Sequence, residues 1–240
     1  MIPDIIFQIS VFGDFTAITP NDTTINAMIA NFKDYGLLPA IFQENNFNLF
    51  LPEPQLTKME TTNRLSMVSV EKKLNVMFAS GRIDINKSSA DLTAPLTSED
   101  LTILLDILGK ATSGQPFTRV ALNTTAILNN PKYNVVQKLQ PCINFYANPS
   151  ELTLRLNKQI DLSIGANVTE CSNVIIILQK TVGQLLLNNQ PIKIDNGIIV
   201  QFDINTQAEN PTPRFSVEQA KRFITSAEEI RQTIICELIS

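Results

Sequence analysis

The sequence predicts an α+β protein in which a mostly antiparallel, curved sheet carries helices packed on one face. Alternating and β-branched apolar runs predict several short strands. Helix-capping residues followed by apolar residues at intervals of three and four predict helices. The tripeptide Asp-Ile-Asn ends a strand pattern at residues 84–86 and again at 203–205. This recurrence predicts two related halves, residues 1–114 and 115–240, which form either two units or one continuous domain.

Five strand patterns and two helix patterns occupy the first half. Apolar residues at positions 25, 28, 29 and 32 form one helical stripe, which Gly36 ends. Thr97 to Asp100 begins a second helix, because acidic side chains favour the first turn. Residues 45–63 carry prolines and polar residues and are predicted to form a surface loop. The predicted strands are 5–12, 37–43, 65–70, 74–78 and 82–86.

The second half ends in the longest predicted helix. Residues 117–128, 152–156, 160–164 and 197–205 read as strands, and residues 174–178 as a central strand covered on both faces. Pro131 fits the first turn of a short helix. Ser216 and Gln219 form a capping box that opens the helix 216–239. Its predicted apolar stripe is Val217, Ala220, Ile224, Ala227, Ile230, Ile234 and Leu238.

A long helix over a meander of strands is the layout of helix-grip folds, and both halves fit it. The second tripeptide lies 119 positions after the first (203 − 84), and a helix start follows each copy at a similar distance. A chance recurrence is the alternative, because the chain is rich in Ile and Asn. The sequence leaves both explanations open.

Composition and charge exclude several partners and compartments. The net charge of −4 argues against a nucleic-acid-binding surface. No segment approaches the roughly 18 consecutive apolar residues of a membrane helix. The first residues lack the basic region of a secretion signal, so we expect a cytoplasmic protein with no membrane contact. The cysteines Cys142, Cys171 and Cys236 are therefore predicted to be reduced and mostly buried.

The chain offers little catalytic chemistry. It contains no histidine, which excludes Ser-His-Asp and Cys-His catalysis. Its eight glycines form no phosphate-binding loop, so we expect no cofactor. Asp84 and Asp203 are the best candidate carboxylates, because equivalent strand ends could bring them together on a metal or let them serve as acid and base. The alternative is that each lies on the polar face of a strand and is solvated or bonds a turn.

The order of segments resembles a family of sporadically distributed prokaryotic proteins of similar length with no assigned function. The segments that carry the resemblance are Arg64 to Asn86, Thr118 to Asn123, Val200 to Asn205 and the last helix. The chain lacks the histidine of that family's final helix. The resemblance implies a fold layout and no activity.

Three functions follow as hypotheses. The first is a non-enzymatic protein-interaction module, an accessory subunit of a bacterial system such as defence or toxin neutralisation. The alternative is a binder of a small apolar ligand in a helix-grip pocket. The third is a metal-dependent hydrolase built on Asp84 and Asp203.

Large apolar side chains between positions 42 and 51 are the candidate interface. They follow a strand and precede a loop, where such side chains are often exposed and contact a partner protein or a second copy. The alternative is that residues 47–51 form a core strand. The candidate interface residues are Phe42, Phe47, Phe50 and Leu51.

Overall fold

The computed structural model describes residues 3–47, 59–89, 92–112, 114–129, 152–166, 168–187 and 190–239. These residues form three α-helices and nine β-strands, which confirms the predicted α+β class. In chain order the elements are β1 (Asp4–Phe12), α1 (Asp22–Phe32), β2 (Leu37–Phe47), β3 (Met59–Ser69), β4 (Leu74–Phe78), β5 (Arg82–Ser88), α2 (Ser98–Ala111), β6 (Arg119–Asn129), β7 (Thr153–Gly165), β8 (Val168–Leu187), β9 (Gln190–Thr206) and α3 (Val217–Ile239).

All nine strands belong to one antiparallel sheet that does not close on itself. Their order is β2-β3-β4-β5-β1-β6-β9-β8-β7, so β2 and β7 are the edges. The first strands of the two halves, β1 and β6, pair with each other. The sheet therefore runs through both halves without a break.

Among the described residues, helices cover one face of the sheet, the helix face, and no helix covers the other, the open face. Along β1, Phe7, Ile9 and Val11 point to the helix face and are almost fully buried, while Gln8 and Phe12 point to the open face and are half-buried. α1 packs on β2 and β3, α2 on β5 and β1, and α3 on β7 and β6. Period-two alternation in the sequence thus produces one main core between sheet and helices.

The two predicted helix caps are present. The backbone N–H of Thr97 donates to the Asp100 carboxylate at 2.7 Å. At α3, the Ser216 N–H donates to the Gln219 side chain at 2.9 Å, and the Gln219 N–H donates to the Ser216 hydroxyl at 3.2 Å. These bonds satisfy N–H groups that have no partner within the helix.

The buried stripe of α3 differs from the predicted one at its C-terminal end. Ile230 and Ile234 are only partly buried, whereas Arg231 is fully buried. A helix with 3.6 residues per turn carries the stripe from 220, 224 and 227 to 231 and 235. The predicted stripe contained only apolar residues, so it included Ile230 and not Arg231. The fully or almost fully buried positions are Ala220, Phe223, Ile224, Ala227, Arg231 and Ile235.

A buried ion pair fixes α3 to the start of the chain. Arg231 donates to both carboxylate oxygens of Asp4, at 2.7 and 2.9 Å, and to both oxygens of Glu228 at 2.7 Å. A bulge in β1 next to Asp4 shifts the register with β6, and Asp4 lies under α3 as a result. The rings of Phe7 and Phe202 lie beside the guanidinium.

Two predicted elements differ from the structure in extent. Part of the expected loop 45–63 is strand, because β2 continues to Phe47 and β3 begins at Met59. The expected central strand 174–178 is part of the longer strand β8, which lies between β9 and β7. On its second apolar side, which points to the open face, Ile175 is buried and Ile177 is half-buried. The helix expected at Pro131 lies outside the described residues.

The hydrogen-bonded register has an internal correspondence. Asp4 bridges Leu96 just before α2, and Phe117 bridges Phe215 just before α3. The partners Leu96 and Phe215 are 119 positions apart, the separation of the two Asp-Ile-Asn copies. The strand order also reads outward from the β1–β6 pair as β1-β5-β4 on one side and β6-β9-β8 on the other. Duplication stays a prediction, and two related halves would be expected to show such a correspondence.

We expect Ile224→Ala to destabilise the protein by about 2–5 kcal/mol, because it leaves a cavity between α3 and the sheet. Thermal melting measures the loss. Ile29→Ala is the matched control, because Ile29 is exposed on α1, and its melting temperature should hardly change. Equal melting of the Ile224→Ala variant and the unaltered protein would contradict the packing of α3.

We expect Arg231→Met to destabilise the protein by about 3–5 kcal/mol at neutral pH, because it leaves a buried carboxylate unpaired. Burial raises the pKa of Asp4, and the charge and hydrogen bonds of Arg231 oppose that rise. Because the pKa of Asp4 is raised in the folded protein, its protonated carboxyl stabilises the fold fully below the ordinary pKa of 3.8. This stabilisation is lost as pH rises through the raised pKa.

Without Arg231 the pKa of Asp4 rises further, so the destabilisation should grow from about pH 4 towards pH 7. Melting curves of the variant and the unaltered protein across this range measure it. Arg222→Met, at an exposed position on the same helix, is the control. A destabilisation that is independent of pH would contradict the ion pair.

Candidate functional site

The edge strand β2 carries exposed apolar side chains. It pairs with β3 on one side and, among the described residues, with no strand on the other. Leu38 on the open face is 57% exposed, and Ile41 on the helix face is 60% exposed. Phe42 is half-buried on the open face. These three residues form what we call the edge patch.

The local sequence explains why the residues of the edge patch lie on β2. Gly36 adopts φ 63°, which ends the helical segment after α1 and turns the chain into β2. Leu37 is buried against the core and anchors the strand. Alternation then turns the following side chains to the two faces in turn, and no charged residue occurs before Glu44.

The structure places the predicted interface residues differently. Phe42 belongs to the edge patch. Phe47 is the last residue of β2, opposite Met59 on β3, and its side chain is outside the described part. Phe50 and Leu51 also lie outside the described residues. The predicted interface therefore remains a prediction, and Leu38 and Ile41 are exposed apolar residues of β2 that the sequence analysis did not include in it.

A groove on the open face begins beside the edge patch. Its first hollow is bordered by Phe42 and Glu44 of β2, Met77 of β4 and Arg82 of β5. A second hollow adjoins it, because Phe12, Ser80 and Gly81 border both. The groove thus crosses the sheet from the edge towards β6.

Buried Arg64 holds the floor of this groove together. Its guanidinium donates to the carbonyls of Phe15 at 2.7 Å, Thr16 at 3.2 Å and Phe78 at 3.1 Å. Glu44 lies 3.6 Å from its Nε and accepts from the N–H and hydroxyl of Ser80. One arginine thereby joins a loop, a strand end and the edge strand. The sequence gives no local signal for this role.

Asp84 lies in the first hollow and is satisfied by its neighbours. It is almost fully buried and accepts from the Ser10 hydroxyl at 2.6 Å and the Gln8 amide at 3.3 Å. The Nε of Arg82 pairs with it at 2.8 Å. These contacts use the carboxylate as a structural acceptor on the open face.

Asp84 and Asp203 lie too far apart to form one site. They lie on β5 and β9, and β1 and β6 run between these strands. Three strand spacings of about 4.8 Å separate the two carboxylates by roughly 14 Å, too far to share an ion. Asp203 instead accepts from the Asn205 amide at 2.7 Å. No group of three or more His, Cys, Asp or Glu with metal-binding geometry occurs in the described residues.

Two of the three cysteines depart from the prediction. Cys171 and Cys236 are free thiols, but both are exposed. Cys171 is on the outward side of β8 near its start, and Cys236 is next to buried Ile235 on the outer side of α3. Cys142 lies outside the described residues.

Comparisons with known proteins add no assignment. The sequence matches none of the known protein families and none of the curated proteins with which we compared it. No described helix combines the length and apolar character of a membrane-spanning segment. The resemblance to the sporadically distributed prokaryotic family therefore stays a prediction.

Proposed function

We propose that the protein is a non-enzymatic interaction module that binds a partner chain at the edge strand β2. The carrying observation is that β2, which among the described residues pairs on one side only, also exposes Leu38 and Ile41. Edge strands pair with an added strand through main-chain hydrogen bonds, and neighbouring side chains give specificity. Apolar side chains at the same place add contact area.

The other edge strand, β7, differs from β2 in a way that supports β2 as the binding edge. β7 carries Arg155, Lys158 and Asp161 among its exposed residues. Charged side chains on an edge strand discourage pairing with other chains. β2 has no charged residue from Leu37 to Gln43. The protein thus protects one edge of its sheet and leaves the other suited to a partner.

Pro39 limits how a partner strand can pair. Its ring nitrogen has no hydrogen to donate, so an added strand cannot form a full ladder along β2. Residues 40–47 offer the longer uninterrupted stretch. We therefore expect the partner strand to pair beside Ile41 and Phe42.

Ile41→Lys should weaken association with a co-purifying partner, or self-association, by about tenfold or more, because it places a charge in an apolar contact. Pull-down from the native host and light scattering of the purified protein measure the two forms of association. Melting curves should stay unchanged, since Ile41 is mostly exposed.

Leu156→Lys is the matched control, because Leu156 is a 49% exposed apolar residue on the opposite edge strand. It should leave association intact. Association that survives Ile41→Lys, or is lost equally in both variants, would overturn the assignment to β2. A protein that associates with nothing would refute the proposed function itself.

A second candidate is the binding of a small apolar ligand. A hollow of about 370 Å³ lies between the end of α3 and strands β7 and β8. Its walls are mostly apolar, which is typical of ligand pockets. The apolar residues that line it are Leu156, Ile160, Val174, Ile176, Ile230 and Ile234.

Native mass spectrometry tests this candidate. The purified protein should carry a small apolar molecule, and Ile234→Trp should displace it by filling the hollow. Ile29→Trp, at an exposed position on α1, should leave the ligand in place. A protein whose mass equals that of the chain alone contradicts the candidate.

A further inference from the structure

Two arginines flank one aromatic ring at the end of the open face. Phe12 on β1 is directly opposite Arg82 on β5 and directly opposite Arg119 on β6. Directly opposite side chains on antiparallel strands lie about 5 Å apart at their Cβ atoms. We call these three residues the arginine row.

Arg119 is held in place but lacks an acidic partner. Its Nε donates to the Thr206 carbonyl at 3.1 Å, and its guanidinium carbon lies 5.0 Å from the centre of the Phe12 ring. Within the described ranges no carboxylate pairs with it, and its two Nη groups donate to no protein atom. Both Nη groups are therefore available to a ligand.

The other arginines with limited exposure have acidic partners. Arg64 has Glu44, Arg214 has Glu170, and Arg231 has Asp4 and Glu228. A half-buried guanidinium gains from such a partner, because it has lost part of its hydration. Arg119 differs from these three in lacking one among the described residues.

The hollow beside Arg119 can admit a peptide side chain. Its volume is about 690 Å³, and it opens to solvent at the end of the sheet. Thr118 and Asn210 supply polar groups next to Arg119, and Pro211 and Pro213 form an apolar wall. The Phe12 ring offers a flat surface for methylene groups.

We propose that this hollow binds the carboxylate of an acidic peptide segment, with the Nη groups of Arg119 as the charged donors. The planar guanidinium matches a carboxylate through two parallel hydrogen bonds. The site is distinct from the edge patch, so the inference stands independently of the proposed function.

The surrounding charges favour a carboxylate over a phosphate dianion. Asp14 lines the same hollow, and two hydrogen bonds from Thr16 lower the pKa of its carboxyl below the ordinary value, so it is ionised at neutral pH. Glu44 lies in the adjoining hollow. Both fixed negative charges repel a dianion about twice as strongly as a single carboxylate.

Titration with a peptide that carries one glutamate between glycines, acetylated at one end and amidated at the other, tests the proposal with a single carboxylate. Backbone amide NMR shifts and calorimetry follow the binding. The largest shifts should centre on Phe12, Thr118 and Arg119. Arg119→Gln should weaken binding at least tenfold. Arg119→Lys should weaken binding less than Arg119→Gln does, because lysine keeps the positive charge and loses only the paired donors of the guanidinium. Arg222→Gln, which removes an exposed charge on α3, should leave binding unchanged.

Several outcomes would overturn the site. These are no binding of the single-glutamate peptide, shifts centred elsewhere, or equal affinity of the Arg119→Gln variant. Tighter binding of inorganic phosphate than of the peptide would identify phosphate, and not a carboxylate, as the ligand. The NMR map uses the unaltered protein, so it decides even if a variant fails to fold. Ile41→Lys should still bind the single-glutamate peptide, which separates this site from the edge patch.

Discussion

The antiparallel pairing of β1 with β6 is the constraint on which the other features depend. It joins the strands of both halves into one sheet and puts residue 9 opposite residue 122 at its centre. The same pairing places Arg119 next to Phe12 and completes the arginine row. At the other end of β1, the register shift in this pair brings Asp4 under α3, where Arg231 binds it. A change in this register would remove both arrangements, since a slip of one residue exchanges the two faces.

A buried polar cluster in an apolar environment joins β1 to α3. Arg231 is 0% exposed, and the carboxylates of Asp4 and Glu228 occupy its donors. Such a cluster contributes little net stability relative to an apolar replacement, but losing one member is costly. Its specific effect is geometric, because the two hydrogen bonds from Arg231 to Asp4 hold α3 against the start of β1. The cluster therefore fixes how the last helix lies on the sheet that carries the candidate sites.

Much of the element order was predictable from sequence, and most residues of the candidate sites were not. Strand alternation and the two caps gave β1, β4, β5, α2 and α3 within a few residues, because these signals are local. Phe42 was included in the predicted interface because of its apolar surroundings. Arg119 and Arg231 were missed, because one arginine in a strand or helix has no local signature. Each acquires its role from a partner more than 80 residues away, Thr206 for one and Asp4 for the other.

The sequence by itself determined the fold class, the helix starts, and the absence of histidine-based chemistry, because periodicity, capping residues and composition act over short distances. It also predicted equivalent strand ends for Asp84 and Asp203, whereas Asp84 lies near the beginning of β5 and Asp203 near the end of β9. Only the tertiary structure decided that they stay apart, that β2 is an edge, and that Arg119 faces a hollow without an acidic partner among the described residues. Strand order is the physical reason, because residues distant in the chain become neighbours only through it, and one sequence pattern is compatible with several orders.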